Sequence, residues 1–412
     1  MSLSAEENSQ APWRVSSDTH IVEPPDLFLT RMSKQYVDYA PRLERVDGVE
    51  MWVAEGQPGL PAFVASRAGD RFEPLETRPN RASPSTYGDC TFADDVREGG
   101  FNPRVWLDDN EADGVYGGAV FASLTFLFYS MISDTAVLND IFRAYNDWAL
   151  DFASEDRDRI KPITMLNLDD IDHAIAEMTR MRERGAVGAC IPVSSPDGYD
   201  HVRYERFWAA AQDLNVPLNM HVASIRSTSG FGFVTHSSRQ PHIDGPYTTP
   251  GMVNTPDMHV RTSLVEMIMS GVFRRYPGLQ VVSVENEGSW LPYFMQRMDW
   301  HYKYNLRSTD KGYRLEGDLL PSDYVRSNVM ISFTEDAALM RMRDEVGIDR
   351  LMWGSDYPHA ESTFPLSGSL LDEQFVDVPA DEQRAMVQEN CAKLYGFDVA
   401  KLEAGTAVVE AR

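Results

Sequence analysis

Three segments of the chain pair a histidine with nearby polar donors. They are Asp18-Thr19-His20 with Glu23 three residues on, Asn219-Met220-His221, and Asp356-Tyr357-Pro358-His359. A fourth, Glu285-Asn286-Glu287, follows the apolar run Val281-Val282-Ser283-Val284. Neutral imidazoles and carboxylates are the usual ligands of a catalytic zinc, iron or manganese ion, whose open coordination position takes water or substrate. Such an ion lowers the pKa of its water and polarises a carbonyl, so the chemistry these residues suggest is metal-assisted. Singly, each has a plainer reading: an Asp before a turn is often a cap, and a lone His is often a core residue. Their weight lies in where they stand, each at the end of a short apolar run. No Ser or Cys nucleophile motif and no Walker loop competes, and Gly230-Phe231-Gly232 lacks the strand-to-helix setting of a dinucleotide fingerprint.

The elements that carry these residues alternate. A first strand, Trp13 to Val22, is stopped by Pro24-Pro25, because proline cannot donate to a ladder. Strands then follow at 118–123, 160–166, 187–193, 216–223, 279–284, 329–333 and 351–354. The spacing predicts helices between or after them, at 135–155, 169–184, 204–214, 258–276, 289–304, 335–346 and 380–394, from apolar residues three and four apart. Eight strands joined by helical crossovers require parallel pairing and favour a closed (β/α)8 barrel of the TIM type. The strand ends then open on one face, where His20, His221, Glu285 and Asp356 converge. Residues 26–114 are rich in Pro, Gly and Arg and show no long periodic helix, and they are expected to form an inserted hairpin-bearing cap that replaces the first crossover. The expected organisation is a flexible lead-in at 1–12, one domain at 13–398 and a tail at 399–412.

Composition narrows the partners. With 38 Lys and Arg against 63 Asp and Glu the formal charge is −25, which argues against nucleic acid or an anionic membrane surface. Cys90, Cys190 and Cys391 are odd in number and far apart, so no disulfide framework is indicated and a reducing, cytoplasmic location is expected. The start of the chain lacks a signal-peptide pattern, and the most apolar run, 117–132, is too short and too interrupted for a membrane span. The expected partners are a small-molecule substrate and further copies of the chain in a homo-oligomer.

The motifs Asp18-Thr-His20-Ile-Val-Glu23-Pro-Pro, Asn219-Met-His221, Val284-Glu285-Asn-Glu-Gly288-Ser-Trp290-Leu-Pro292 and Trp353-Gly-Ser-Asp356-Tyr-Pro-His359 resemble the amidohydrolase-related metal-dependent hydrolases. That branch of the amidohydrolase superfamily includes aminocarboxymuconate semialdehyde decarboxylase and the resorcylate-type decarboxylases. The resemblance runs from about Val15 to Tyr395, apart from the insert. It implies a divalent metal held by Asp18 or His20, by His221 and by Asp356. This chain departs from the pattern in three places. Its first-strand motif is Asp-x-His-x-x-Glu rather than His-x-His, which makes Glu23 a candidate further ligand or substrate contact. Glu285 stands where the decarboxylases commonly have a catalytic His. The strand at 187–193 has no Lys to bridge two metals. One ion, zinc first and manganese or iron next, is therefore expected, with Glu23 and Glu285 leaving room for a second.

The leading expectation is hydrolysis by a metal-activated water, with Asp356, Glu285 and His359 as the proton-handling residues. Decarboxylation of an aromatic or unsaturated acid is the alternative, with Arg104 or Arg226 to hold the acid, and a non-haem iron oxygenase is the third. Trp353, Arg226 and His236 are the candidate substrate contacts. Phe63, Phe72, Tyr87, Trp106, Phe231 and Phe233 point to an apolar or aromatic ligand. If buried, Glu285 requires a nearby cation, either a metal or Arg297.

Overall fold

In a computed structural model of the chain, the described residues are 13–62, 66–74, 90–226, 249–306, 315 and 317–401. The strands are β1 (Arg14–Ile21), β2 (Arg42–Val46), β3 (Val49–Ala54), β4 (Gln57–Pro61), β5 (Val115–Ala122), β6 (Ile160–Met165), β7 (Gly188–Ile191), β8 (Leu218–His221), β9 (Val281–Val284), β10 (Val329–Phe333) and β11 (Leu351–Trp353). Eight of them form one parallel sheet in the order β1-β5-β6-β7-β8-β9-β10-β11. Each is followed by helical structure, as in a (β/α)8 barrel. The ring closes at its mouth. Beyond the end of β11, Asp356 N–H donates to the Asp18 carbonyl (2.9 Å) and His20 N–H donates to the Tyr357 carbonyl (2.6 Å). The seam of the barrel thus runs through the residues of chemical interest.

The insert between β1 and β5 holds the antiparallel meander β2-β3-β4. Its first turn is Asp47-Gly48, both at positive φ (50° and 88°), the two-residue geometry that matches strand twist and that glycine adopts without strain. Trp52 of β3 is fully buried, with its ring 6.0 Å from that of Phe28, which in turn lies 5.5 Å from Phe128 next to the barrel. The insert does not replace the first crossover. A helix, Pro103–Ala112, precedes β5 and supplies it, with Asn102 accepting a hydrogen bond from Arg104 N–H and Pro103 in its first turn. Its apolar signal is thin, because only Trp106 and Asn110 are buried among charged neighbours. The Asn-Pro start was the readable mark of a helix N-terminus.

The helix expected at 258–276 begins earlier, as Thr249–Met269, and is followed by Val272–Arg275. Helices Pro321–Asn328 and Ser367–Gln374 were not expected from periodicity. No helix among the described residues is long and apolar enough to cross a membrane.

Candidate metal centre

Strand geometry delivers the donors. The β1–β5 register slips between Ser16 and Thr19, so Ser17 and Asp18 share one partner position, and this bulge lets Asp18 and His20 both reach the mouth. His221 is the last residue of β8, Glu285 follows β9, and Asp356 lies three residues past β11. Glu285 and Asp356 both adopt left-handed backbone (φ 55° and 58°), a conformation costing of order 1–3 kcal/mol at a non-glycine residue and concentrated at functional sites.

Both imidazoles are oriented by their Nδ1–H groups. His20 Nδ1 donates to the Ala122 carbonyl and His221 Nδ1 to the Val222 carbonyl, each at 2.7 Å. Their Nε2 atoms then carry lone pairs, and they face each other at 3.3 Å. Asp18 Oδ1 lies 3.3 Å from one Nε2 and 3.4 Å from the other. Asp356 Oδ1 is 3.3 Å from His20 Nε2, and Glu285 Oε2 is 3.5 Å from His221 Nε2. Neither Asp18 oxygen nor Asp356 Oδ1 accepts a hydrogen bond, although all are buried. His359 Nδ1 comes within 2.8 Å of Asp356 Oδ1 without hydrogen-bond alignment. Bare lone pairs and unpartnered buried carboxylates are costly together, and a divalent cation resolves both. Two sets of four have donor atoms within 4.8 Å of one another, Asp18-His20-His221-Glu285 and His20-Glu285-Asp356-His359. Nitrogen and carboxylate oxygen donors of this kind fit zinc, manganese or iron.

The electrostatics follow from this crowding. Burial pushes His20 down to about 4, reinforced by His359 and opposed by Asp18. Burial alone would raise Asp18, but His221 and His20 hold it well below the usual carboxylate range. Asp356 is pushed up to about 8 by burial, with Asp18 adding to the rise against the pull of His20. Glu285, 26% of whose side chain is accessible at the mouth, is raised well above the ordinary range by burial and then by Asp356 and Asp18.

Of the residues around the cluster, His359 was expected from the sequence, whereas Phe121, Ser123 and Phe126 were not. Phe126 stacks on His221 (centroids 4.4 Å, 24°), Phe121 lies 5.2 Å from the same ring, and His359 stacks on His20 at 3.8 Å. Ser123 Oγ is 3.0 Å from His359 Nε2. Their one sequence signal was position, since Phe121 and Ser123 stand at the end of a barrel strand just as His221 does.

Several expected site residues prove to be placed elsewhere. Glu23 is not among the clustered donors: its carboxylate accepts from Leu124 N–H (3.0 Å), Thr125 N–H (2.9 Å) and Thr125 Oγ1–H (2.6 Å). Arg226 is committed, with Nη2 donating to Asp169 (2.6 Å) and Nη1 to the carbonyls of Tyr129 (2.5 Å) and Ile132 (2.7 Å), so it is not free to hold a substrate acid. Arg104 pairs with Glu155 on an exposed surface. Trp353 is fully buried and shares its apolar cluster with Leu351, Phe333, Leu339 and Met386 between strands and outer helices, not with the mouth. Glu285 has His221 rather than Arg297 as its near partner; Arg297 lies over Trp300 on an outer helix. Glu287 accepts from Thr334 and Glu335 N–H, each at 3.3 Å, outside the cluster. His236, with Phe63, Tyr87, Phe231 and Phe233, lies outside the described residues.

The Amidohydrolase family profile matches residues 123–397. The chain is similar to Gamma-resorcylate decarboxylase of Rhodococcus jostii strain RHA1, 26% identical over 233 residues, a stretch spanning 53% of this chain and 66% of that protein. In fold it is similar to an amidohydrolase, map2389c, from Mycobacterium avium subsp. paratuberculosis K-10, with TM-score 0.75 and 19% identity over 94% of this chain and 100% of that one. It is also similar to a dihydroxybenzoic acid decarboxylase from Polaromonas sp. JS666, solved with bound manganese and the inhibitor 2-nitroresorcinol, with TM-score 0.59 and 17% identity over 93% and 97% of the two chains.

Proposed function

The chain belongs to the amidohydrolase family, and from that premise we propose that it is a metal-dependent, non-oxidative decarboxylase of an aromatic acid carrying a hydroxyl beside its carboxylate. The observation that carries the metal reading is the facing Nε2 pair of His20 and His221, 3.3 Å apart, flanked by buried oxygens of Asp18 and by Asp356 Oδ1 that accept no hydrogen bond. The named activities of the similar proteins support preferring decarboxylation to hydrolysis. A divalent ion held by Asp18, His20, His221 and Asp356 would supply positive charge for the substrate's carboxylate and neighbouring oxygen. That role falls to the ion because, among the described residues, no Arg or Lys lies within 4.0 Å of these carboxylates; their charged neighbours are imidazoles. Manganese and zinc both suit the donor set, and side-by-side titration distinguishes them.

The chain's own residues supply the rest. Phe121 and Phe126 form an apolar wall against the imidazoles and exclude water from an aromatic ring. Glu285, its carboxyl raised well above the ordinary range by burial and by Asp356 and Asp18, stands at the accessible edge of the cluster as the proton donor. In the reaction, the bond between ring and carboxyl carbon breaks with its electron pair left on the ring. The proton from Glu285 fills the vacated position, CO2 leaves, and solvent returns a proton to Glu285. One proton is consumed per turnover.

The test is manganese-loaded protein with 2,6-dihydroxybenzoate in D2O, read by CO2 release and proton NMR. The expected result is one CO2 and one ring deuterium per turnover, lost on chelation and indifferent to O2. No CO2 and no ring deuterium from the manganese-loaded protein, with cleavage of an aryl amide or ester by water in their place, would return the reading to hydrolysis.

A further inference from the structure

One short segment, through one carbonyl and two side chains, touches every imidazole of the cluster. The Ala122 carbonyl receives His20 Nδ1–H at 2.7 Å, Ser123 Oγ meets His359 Nε2 at 3.0 Å, and Phe126 stacks on His221 at 4.4 Å. Between these contacts lie Leu124 and Thr125, whose N–H groups, with the Thr125 hydroxyl, are all taken by Glu23. We propose that Glu23 is a positioning residue, locking segment 122–126 as the template that sets the orientation of His20, His221 and His359 for metal binding.

The energetics explain why a carboxylate stands there. Glu23 is fully buried, and among the described residues no cation pairs with it. A buried carboxylate held by hydrogen bonds alone is an expensive loop anchor that a neutral side chain could replace if only the loop mattered. A carboxylate has what a neutral anchor lacks: two acceptor oxygens and no donor, so it can take three or more donors from one turn. Its place in the sequence adds to the effect. Glu23 lies three residues past His20, so the clamp ties the end of the strand that supplies one imidazole to the segment that orients all three. Partners that hold metal-bound histidines, as the Ala122 carbonyl holds His20, change metal affinity or activity by about 10–100-fold when removed, and Glu23 fixes the segment that carries this partner.

This assignment rests on the metal-centre reading, so its test reads metal binding directly. Mn(II) alone is titrated into chelator-stripped wild type, Glu23→Gln, Thr125→Val, Phe126→Leu and the double variant Glu23→Gln/Phe126→Leu. Bound and free ion are separated by EPR, and thermal unfolding is followed in parallel. Glu23→Gln places an amide donor against the Leu124 and Thr125 donors, and its Mn(II) Kd is expected to rise about 10–100-fold with a broadened EPR spectrum. Thr125→Val removes one donor at nearly constant volume and is expected to raise Kd about tenfold, which keeps the test decisive if the Glu23 variant does not fold. Because both lesions act through one segment, the double variant should bind no more weakly than the weaker single variant. Wild-type Kd and spectrum in both Glu23→Gln and Thr125→Val, with only a lower Tm, would make the clamp merely structural and overturn the proposal, as would losses that multiply in the double variant. A wild type that binds no Mn(II) would instead overturn the metal-centre reading, and this proposal with it.

Discussion

Metal uptake at this site should displace a proton, and the number displaced tells which carboxylates are ligands. Asp356 is buried, with its Oδ1 3.3 Å from His20 Nε2, and is pushed up to about 8 in the metal-free site. At neutral pH the metal-free site therefore holds a proton there that the ion must displace, and metal binding should weaken as pH falls. His20, pushed down to about 4, is already neutral at that pH and releases nothing. Glu285 is the discriminating group. As the proton donor of the proposed reaction it is not a ligand, so Glu285→Gln should leave the proton release unchanged. As a ligand it would contribute to the release, and Glu285→Gln should lower it. The assay is calorimetric titration of Mn(II) into stripped protein at pH 6.5, 7 and 8, each in two buffers of different ionisation enthalpy. A release of about one proton at pH 7, abolished in Asp356→Asn, is the expected result. No release, with a Kd flat from pH 6.5 to 8, would overturn Asp356 as a ligand, and a release that falls in Glu285→Gln would remove Glu285 from its assigned role.

The same shifts govern the stability of the stripped protein. Asp356, raised in the fold, contributes stability that is present below the ordinary carboxylate range and lost as pH rises through about 8, whereas His20, lowered in the fold, contributes stability present above 6.5 and lost as pH falls through about 4. The two oppose below pH 6.5, so denaturant titration should show a decline of about 2 kcal/mol between pH 6.5 and 8, removed by metal. Arg226→Met strands Asp169 and two buried carbonyls, and urea unfolding should show a loss of about 3–5 kcal/mol, with KM for the acid unchanged in the folded fraction. Trp353→Ala empties a fully buried position in the outer core and should cost about 3–5 kcal/mol in the same assay, with no change in KM. Asn102→Ala removes the cap of the first crossover helix and should cost about 1 kcal/mol.

What the sequence made legible follows physical range. Strand–helix alternation is a local pattern, and it was enough to place His20, His221 and Asp356 at the mouth of one barrel. Glu23 and Arg226 were read as site residues because a charge near a strand end has no local sign of its partner. Glu23's partners, Leu124 and Thr125, are about a hundred residues away, and Arg226's partner, Asp169, is 57 away. Trp353 could have been excluded by the period of two: it shares a face with Leu351, and that face packs outward in the structure. The helix Pro103–Ala112 escaped because three acidic residues and two asparagines flank its few apolar positions, leaving the cap as the main signal. Phe121, Ser123 and Phe126 were hidden for a different reason. Their role comes from standing across the barrel from His221 and His359, a relation that exists only once β1 and β5 are paired.

On the proposed reading, His20, His221, Asp18 and Asp356 hold one divalent ion on which turnover depends. Diffraction from crystals of manganese-loaded protein, collected on both sides of the manganese edge, locates that ion. A single anomalous peak is expected between the Nε2 atoms of His20 and His221, in contact with carboxylate oxygens of Asp18 and Asp356. A peak elsewhere, or none in protein that still turns over, would contradict it.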